Sequence, residues 1–160
     1  MHPNRKKNRL VDYDYSQPGA YFITICTQNR RCILSSIVGA DDHIGPTVAL
    51  TPIGNVVKKY TDLIPGIGHY VIMPNHVHMI LHISATSPDK GPMWSSAPTN
   101  ANIQHLIRTW KTLISKELGK SIWQRSYYDH IIRNDEEYTK IGEYILGNPG
   151  KWAEDKYFSL

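Results

Sequence analysis

Residues 70–83 have the sequence YVIMPNHVHMILHI, which predicts two adjacent β-strands. Tyr70-Val71-Ile72 and the segment 76–83 are rich in β-branched and other apolar residues, as strands are. Pro74 and Asn75 between them favour a tight turn. Because side chains alternate between the two faces of a strand, the apolar positions of the second strand should share the core face. Those positions are Val77, Met79, Leu81 and Ile83.

The sequence on either side of this hairpin predicts one further strand, a short hairpin and three helices. We expect a strand at 21–27, a hairpin within 33–48, and helices at about 51–64, 101–118 and 134–148. Thr51 is a favourable N-cap, and Gly119 is a favourable stop. Asn134 and Glu137 have the spacing of a capping box. This irregular order of elements predicts an α+β fold with an antiparallel sheet.

The length of 160 residues suits one domain with a real core. We assign residues 20–160 to this domain and residues 1–19 to a basic N-terminal arm. The arm is either a solvated tail or a DNA-contacting segment. Its cations are Arg5, Lys6, Lys7 and Arg9. Residues 84–99 are rich in Ser, Pro and Gly, which predicts a flexible loop.

The composition indicates a soluble protein with no membrane segment. The formal net charge of +4 is compatible with a nucleic-acid partner but does not require one. Cys26 and Cys32 form neither a C-x-x-C pair nor a disulfide framework. There is no signal peptide and no apolar run of membrane-spanning length. We therefore expect a cytoplasmic protein.

His76 and His78 are the strongest local signal for chemistry. On a strand, residues i and i+2 point to the same side, so both imidazoles should reach one divalent metal ion. His82 shares this face and is a further candidate ligand. The alternative is that these are unrelated histidines of a polar face, since the chain contains 8 His.

Tyr144 and Asn148 are the second signal, because residues i and i+4 share one face of a helix. A phenol and an amide oxygen would then project together toward the metal. The alternative is that Tyr144 is a core residue and Asn148 a C-cap before Pro149. Lys140 lies one turn before Tyr144 and either assists a phosphate or belongs to a solvated surface.

Several basic and aromatic side chains are suited to hold a nucleic-acid strand, because cations follow phosphates and aromatic faces stack on unpaired bases. Trp110 and Trp123 are expected in the core instead. His130 is either a buried, hydrogen-bonded histidine or a DNA contact. The candidate cations in the domain are Arg108, Lys111, Lys116, Arg125, Arg133 and Lys140, with the aromatics Tyr127 and Tyr128.

Four segments in this order resemble a known family. Residues 73–78 (MPNHVH) are similar to the HUH motif of bacterial single-tyrosine transposases, in which two histidines flank a bulky apolar residue. Residues 14–22 (DYSQPGAYF), 122–133 (IWQRSYYDHIIR) and 144–149 (YILGNP) are similar to the REP-associated tyrosine transposase group. The matches extend over almost the whole chain from about Tyr13.

The resemblance implies a ferredoxin-like or RRM-like fold with the histidines on a central strand. It implies that Tyr144 is the nucleophile, giving a 5′-phosphotyrosine intermediate and a free 3′-OH. His76 and His78 would bind Mg²⁺ or Mn²⁺, with Asn148 as third ligand, although other single-tyrosine transposases carry glutamine at that position. Tyr138 is the rival nucleophile.

The implied substrate is hairpin DNA with an adjacent single-stranded tetranucleotide, and the implied assembly is a monomer or a homodimer. Two other functions stay open at this point. One is a non-catalytic protein that binds hairpin DNA or RNA, for which neither Tyr144 nor the histidines are needed. The other is a metal phosphodiesterase that uses water as the nucleophile, for which Tyr144 is dispensable.

Overall fold

The structure, a computed structural model, describes residues 19–39, 45–83 and 103–157. Its strands are β1 (Gly19–Cys26), β2 (Ser35–Val38), β3 (Thr47–Leu50), β4 (Ile67–Ile72), β5 (His76–Ile83) and β6 (Tyr128–Ile132). Its helices are α1 (Pro52–Asp62), α2 (Ile103–Leu118) and α3 (Asp135–Gly147), with 3-10 turns at Gln28–Arg30 and Asn148–Glu154. The predicted basic arm and the predicted loop at 84–99 lie outside the described residues, and the domain division stays a prediction.

Four strands form one antiparallel sheet in the order β4-β5-β1-β6. Helix α1 lies between β1 and β4 in sequence, and α2 lies between β5 and β6, which gives the βαββαβ order of a ferredoxin-like fold. The HUH strand, β5, is central, so the predicted fold class is confirmed. Strands β2 and β3 form a separate antiparallel pair that overlaps the predicted hairpin region and extends two residues beyond it, to Leu50.

The core lies on one face of the sheet. Val77, Met79 and Leu81 are fully buried in it, and Ile83 packs against its margin, as the alternation predicts. Trp110 of α2 and Trp123 are both buried with ring centroids 4.7 Å apart, which confirms them as core residues. The opposite face of β5 is also buried at residues 76, 78 and 80, so this central strand is covered on both sides.

Helix α1 begins and helix α2 ends where local chemistry predicts. The Thr51 hydroxyl accepts a hydrogen bond from the Gly54 amide at 3.0 Å and so caps α1. A Cβ at Gly54 would lie 1.9 Å from the Leu34 carbonyl oxygen, so only glycine permits this close packing. Gly119, at φ +71°, ends α2 in the left-handed conformation.

Helix α3 contacts β4 and β5 and supplies the side chains that meet the histidines described below. Asn134 caps it by accepting from the Glu137 amide at 2.8 Å. The Glu137 carboxylate accepts from the Arg133 amide and pairs with His130, which is half-buried and hydrogen-bonded. Helix α3 ends at Gly147, just before Pro149 as predicted, and the chain then forms the 3-10 turn Asn148–Glu154, which returns it toward His76 of β5. Among the described residues, no helix is long and apolar enough to span a membrane.

Candidate metal and nucleic-acid site

His76 and His78 meet on the face of the sheet opposite the core. Their Nε2 atoms are 3.0 Å apart, and both side chains are inaccessible to solvent. Two nitrogen atoms that bind one ion at about 2.1 Å in perpendicular directions are also about 3.0 Å apart. The spacing of the two imidazoles therefore fits a shared divalent cation.

Asn75 fixes the protonation of His76. The Asn75 Nδ2 group donates to the carbonyl oxygens of Arg30 and Tyr157, so its Oδ1 is the atom that accepts. His76 Nδ1, at 2.8 Å from this Oδ1, must then carry the proton. The lone pair of neutral His76 is left on Nε2, the atom that faces His78.

Burial keeps both imidazoles neutral. It lowers the pKa of His76 to about 3. Burial, reinforced by charge on His76 and Lys156, lowers the pKa of His78 well below its usual range. His78 Nδ1 is 2.8 Å from the Thr24 hydroxyl on β1, which orients this ring in turn. Neutral, oriented imidazoles are the form that binds metal ions.

Asp155 completes a group of three side chains that sequence reasoning missed. Its Oδ2 lies 3.6 Å from His76 Nε2, and its side chain is 4% exposed. The ligand atoms of His76, His78 and Asp155 all lie within 4.8 Å of one another. Asp155 is far from the histidines in sequence, so no helical or strand spacing predicts that they meet. Asp155 reaches the histidines because the 3-10 turn Asn148–Glu154 directs the chain back toward them.

Asn148, the sequence-predicted third ligand, is buried at the start of this turn. Its Nδ2 donates to the Tyr144 carbonyl at 3.2 Å, whereas its Oδ1 is buried without a hydrogen-bond partner. A buried amide oxygen without a donor is unfavourable unless a cation or water satisfies it. The His76–His78–Asp155 group and this oxygen are chemically suited to a divalent metal ion.

Tyr144 is adjacent to the histidine pair and partly open to solvent. Its hydroxyl is 3.4 Å from His78 Nε2, and the residue is 43% exposed. Tyr138, the rival, lies elsewhere: its hydroxyl is 3.1 Å from His82 Nε2. His82 is exposed and does not belong to the metal-ligand group of the described residues, so it is not placed as a ligand here.

The predicted DNA-contacting cations do not form one surface. Arg108, Lys111, Lys116 and Arg125 line one depression beside α2. Lys140 pairs with Glu136 on the exposed side of α3, in agreement with the surface alternative. Arg133 lies at the start of α3, where its amide donates to Glu137. Contacts of these cations with DNA stay predictions, and Arg5, Lys6, Lys7 and Arg9 lie outside the described residues.

Comparison with known proteins identifies relatives over most of the chain. No family model matches it. A protein of Haemophilus influenzae without a described function is 32% identical over 97% of this chain and 93% of its own length. The REP-associated tyrosine transposase of Escherichia coli is 26% identical over 86% of this chain and 70% of its length.

A solved structure has the same fold. A REP-associated tyrosine transposase bound to a REP hairpin superimposes with a TM-score of 0.57, at 23% identity, over 89% of this chain and 73% of that chain. This likeness concerns the fold. The chain is therefore similar in sequence to a REP-associated tyrosine transposase and shares the fold of such a protein, in agreement with the resemblance of its four sequence segments.

Proposed function

We propose that this protein is a metal-dependent enzyme that nicks and rejoins single-stranded DNA through Tyr144. The observation that carries the proposal is the distance of 3.4 Å between the Tyr144 hydroxyl and His78 Nε2, at the edge of a buried histidine pair. A partly exposed phenol beside a group of metal-ligand side chains is the arrangement that tyrosine attack on a phosphodiester needs.

His76, His78 and Asp155 would hold the ion, with the unpaired Asn148 oxygen as a further ligand. A bound divalent metal supplies charge neutralisation at the scissile phosphate. The chain itself contributes a set of buried ligands with fixed orientations. Hydrogen bonds with Asn75 and Thr24 orient the imidazoles of His76 and His78, and burial keeps both imidazoles neutral. No histidine proton must be displaced at neutral pH before the ion binds.

Tyr144 attacks the scissile phosphorus with its phenolic oxygen. The new O–P bond forms as the bond from phosphorus to the 3′ oxygen breaks. The phenol gives up its proton, and the leaving 3′ oxygen gains one, so the products are a 5′-phosphotyrosine and a free 3′-OH. Attack by a 3′-OH on the phosphotyrosine reverses the step and rejoins DNA, because the ester conserves the energy of the broken bond.

Tyr157, which also lies at the site, is a poor alternative nucleophile. Its ring packs on His76 with centroids 4.6 Å apart. Burial raises the pKa of Tyr157 to about 12, so the phenol resists the deprotonation that attack requires. The Tyr157 ring instead packs against the imidazole of His76 and shields it from solvent.

Aromatic side chains beside Tyr144 are suited to unpaired bases. Phe22 lies 6.0 Å from the Tyr144 ring and 6.3 Å from the ring of Tyr128, which is exposed. Lys156 lies over Tyr128 at 5.8 Å and adds a positive charge. Stacking on such rings and attraction of phosphates to the cation favour single-stranded DNA. Since the solved relative is bound to a REP hairpin, we infer a hairpin with unpaired flanks as the substrate.

The test is covalent adduct formation. The protein is incubated with end-labelled hairpin DNA and Mn²⁺ or Mg²⁺, and the products are separated on a denaturing gel. We expect a protein–DNA band that requires the metal, disappears in Tyr144→Phe and His76→Ala, and persists in the matched control Tyr138→Phe. Free cleaved DNA from Tyr144→Phe would instead identify water as the nucleophile. Binding without cleavage over a varied set of hairpins would favour a non-catalytic binder.

A further inference from the structure

A basic trough runs along α2 on the side away from α1. We define it by five cations that line a depression of about 640 Å³: Arg108, Lys111, Lys116, Lys120 and Arg125. None of the described residues that line it is acidic. Such a one-sided concentration of charge raises the local potential well above that expected from a net charge of +4.

The sequence of α2 produces this separation of charge. Arg108, Lys116 and Lys120 follow one another at multiples of four residues, so they share one side of the helix and its end. Glu117 is the only carboxylate of α2, and it faces the other side. There it accepts from Lys59 at 2.7 Å and from Tyr60 at 2.6 Å, both on α1. The trough therefore has no compensating negative charge of its own.

Lys111 forms the floor of the trough. Its Nζ donates to the Gln124 carbonyl at 2.8 Å and lies 5.8 Å from the centroid of the Tyr127 ring. Burial lowers the pKa of Lys111 to about 8. Within the part of the chain that the structure describes, no carboxylate pairs with any of the five trough cations. A partly buried cation among unpaired cations destabilises the free protein, and an anionic ligand would relieve that cost.

The trough leads to the histidine site. A second depression shares Ser121 and Arg125 with it and extends to Arg30. The Arg30 guanidinium lies 5.8 Å from the ring of Tyr157, and that ring packs on His76. The backbone gives the same connection, because the Gln124 amide donates to the carbonyl of Cys26, the β1 residue that pairs with His76.

We propose that the basic trough binds the sugar–phosphate backbone of the single-stranded DNA segment that leads away from the cleaved phosphate. This inference rests on the proposed function, which places the cleaved phosphate at Tyr144. From Arg108 to Lys116 the helix extends about 12 Å, enough to follow three or four phosphates. Cations along a groove hold a strand without selecting its sequence, so the trough positions DNA and does not read it.

The experiment measures binding without cleavage. Proteins in the Tyr144→Phe background, kept in EDTA, are titrated onto a labelled DNA hairpin with single-stranded flanks of roughly ten nucleotides, and onto the same hairpin without flanks. Lys116→Gln/Lys120→Gln removes two trough charges. Lys58→Gln/Lys59→Gln removes two charges from α1 and is the matched control. Fluorescence anisotropy at several salt concentrations gives the affinity and its salt dependence, and thermal melts establish that each variant is folded.

We expect the trough variant to bind the flanked hairpin roughly tenfold or more weakly and to lower the slope of log affinity against log salt by about 1.5, whereas the control stays within about twofold of the parent. Equal losses in both variants, no loss in the trough variant, or an equal loss on the flankless hairpin would overturn the proposal. Since binding is measured without cleavage, a failure of the wild-type protein to form the covalent adduct would count against the proposed function alone.

Discussion

Strand β5 and helix α3 meet twice through a histidine and a tyrosine, and the two contacts differ in their surroundings. At one end, Tyr144 lies 3.4 Å from His78. At the other end, Tyr138 lies 3.1 Å from His82. The second contact is the shorter of the two, so hydrogen-bond length is not what makes the first contact the candidate site.

Burial and convergence distinguish the two contacts. His78 is 1% exposed, faces a second histidine and lies in a group that includes Asp155. His82 is exposed and belongs to no such group of metal ligands among the described residues. Desolvation lowers the pKa of His78 and so holds this imidazole neutral, in the form that binds a metal ion. Of the two histidine–tyrosine contacts, the candidate metal site is therefore the one at which several metal-ligand side chains meet in a buried position.

The largest expected difference between His78 and His82 is in their contribution to the affinity for Mn²⁺. His78→Gln removes a buried nitrogen ligand, and we expect the affinity for Mn²⁺ to fall by at least about 100-fold. His82→Gln makes the same chemical change outside the ligand group and should leave the affinity within about twofold. Isothermal titration calorimetry on both variants measures this difference. Equal affinities in the two variants would remove the distinction between the sites.

The identity of the further ligand is tested at Asp155 and Asn148. Asp155→Asn removes a charge but keeps an oxygen that accepts from the Tyr157 amide, so we expect a loss of Mn²⁺ affinity of about tenfold to 100-fold. Asn148→Ala removes the unpaired oxygen and should cause a smaller loss. The same titration provides the readout. An unchanged affinity in either variant excludes that residue from the ligand set.

The pH dependence of stability should also report the burial of the histidine pair. The native pKa of His76 is about 3, so between pH 6.5 and 3 the unfolded chain takes up a proton that the native chain does not. The same sign holds for His78. The free energy of unfolding in EDTA should therefore fall with decreasing pH, by up to about 1.4 kcal/mol per pH unit for each histidine.

Urea denaturation at pH 7, 5.5 and 4.5 measures this slope. His78→Gln should flatten the dependence, because one of the two native-state histidines that resist protonation is gone. The wild-type chain, measured alongside, should keep the steeper slope. A slope in His78→Gln equal to that of the wild-type chain would assign the effect to other groups.

The smallest effect is expected at the exposed pair. Tyr138→Phe removes one surface hydrogen bond to His82 and should change the free energy of unfolding by no more than about 0.5 kcal/mol. Urea denaturation at pH 7 is the measurement, with the parent protein alongside. A loss of more than about 2 kcal/mol would indicate that the Tyr138 contact is an anchor of α3.

Local chemistry made most of the fold predictable. The Thr51 cap, the Gly119 stop and the Asn134 cap each act within a few residues, and the structure has all three. Period-two alternation correctly assigned Val77, Met79 and Leu81 to the core. The same periodicity brought His76 and His78 together, since both lie on one short strand.

Contacts between segments that are distant in sequence could not be predicted from local sequence patterns. The choice of Asn75 as the group that orients His76 depends on two carbonyls far away in sequence, those of Arg30 and Tyr157. Pro149 and Gly150 correctly predicted the end of α3, but they did not predict the 3-10 turn Asn148–Glu154 that follows it. That turn is what carries Asp155 to the histidines.

The sequence by itself determined every strand except β6, the helix boundaries, the core face and the histidine pair, because each depends on neighbours within one or two turns of chain. Only the tertiary structure decided which tyrosine meets the pair, that Asp155 joins it, and that the cations of α2 line one trough. These outcomes depend on how β5, α2 and α3 pack, and packing is fixed by the burial of whole faces rather than by any local motif.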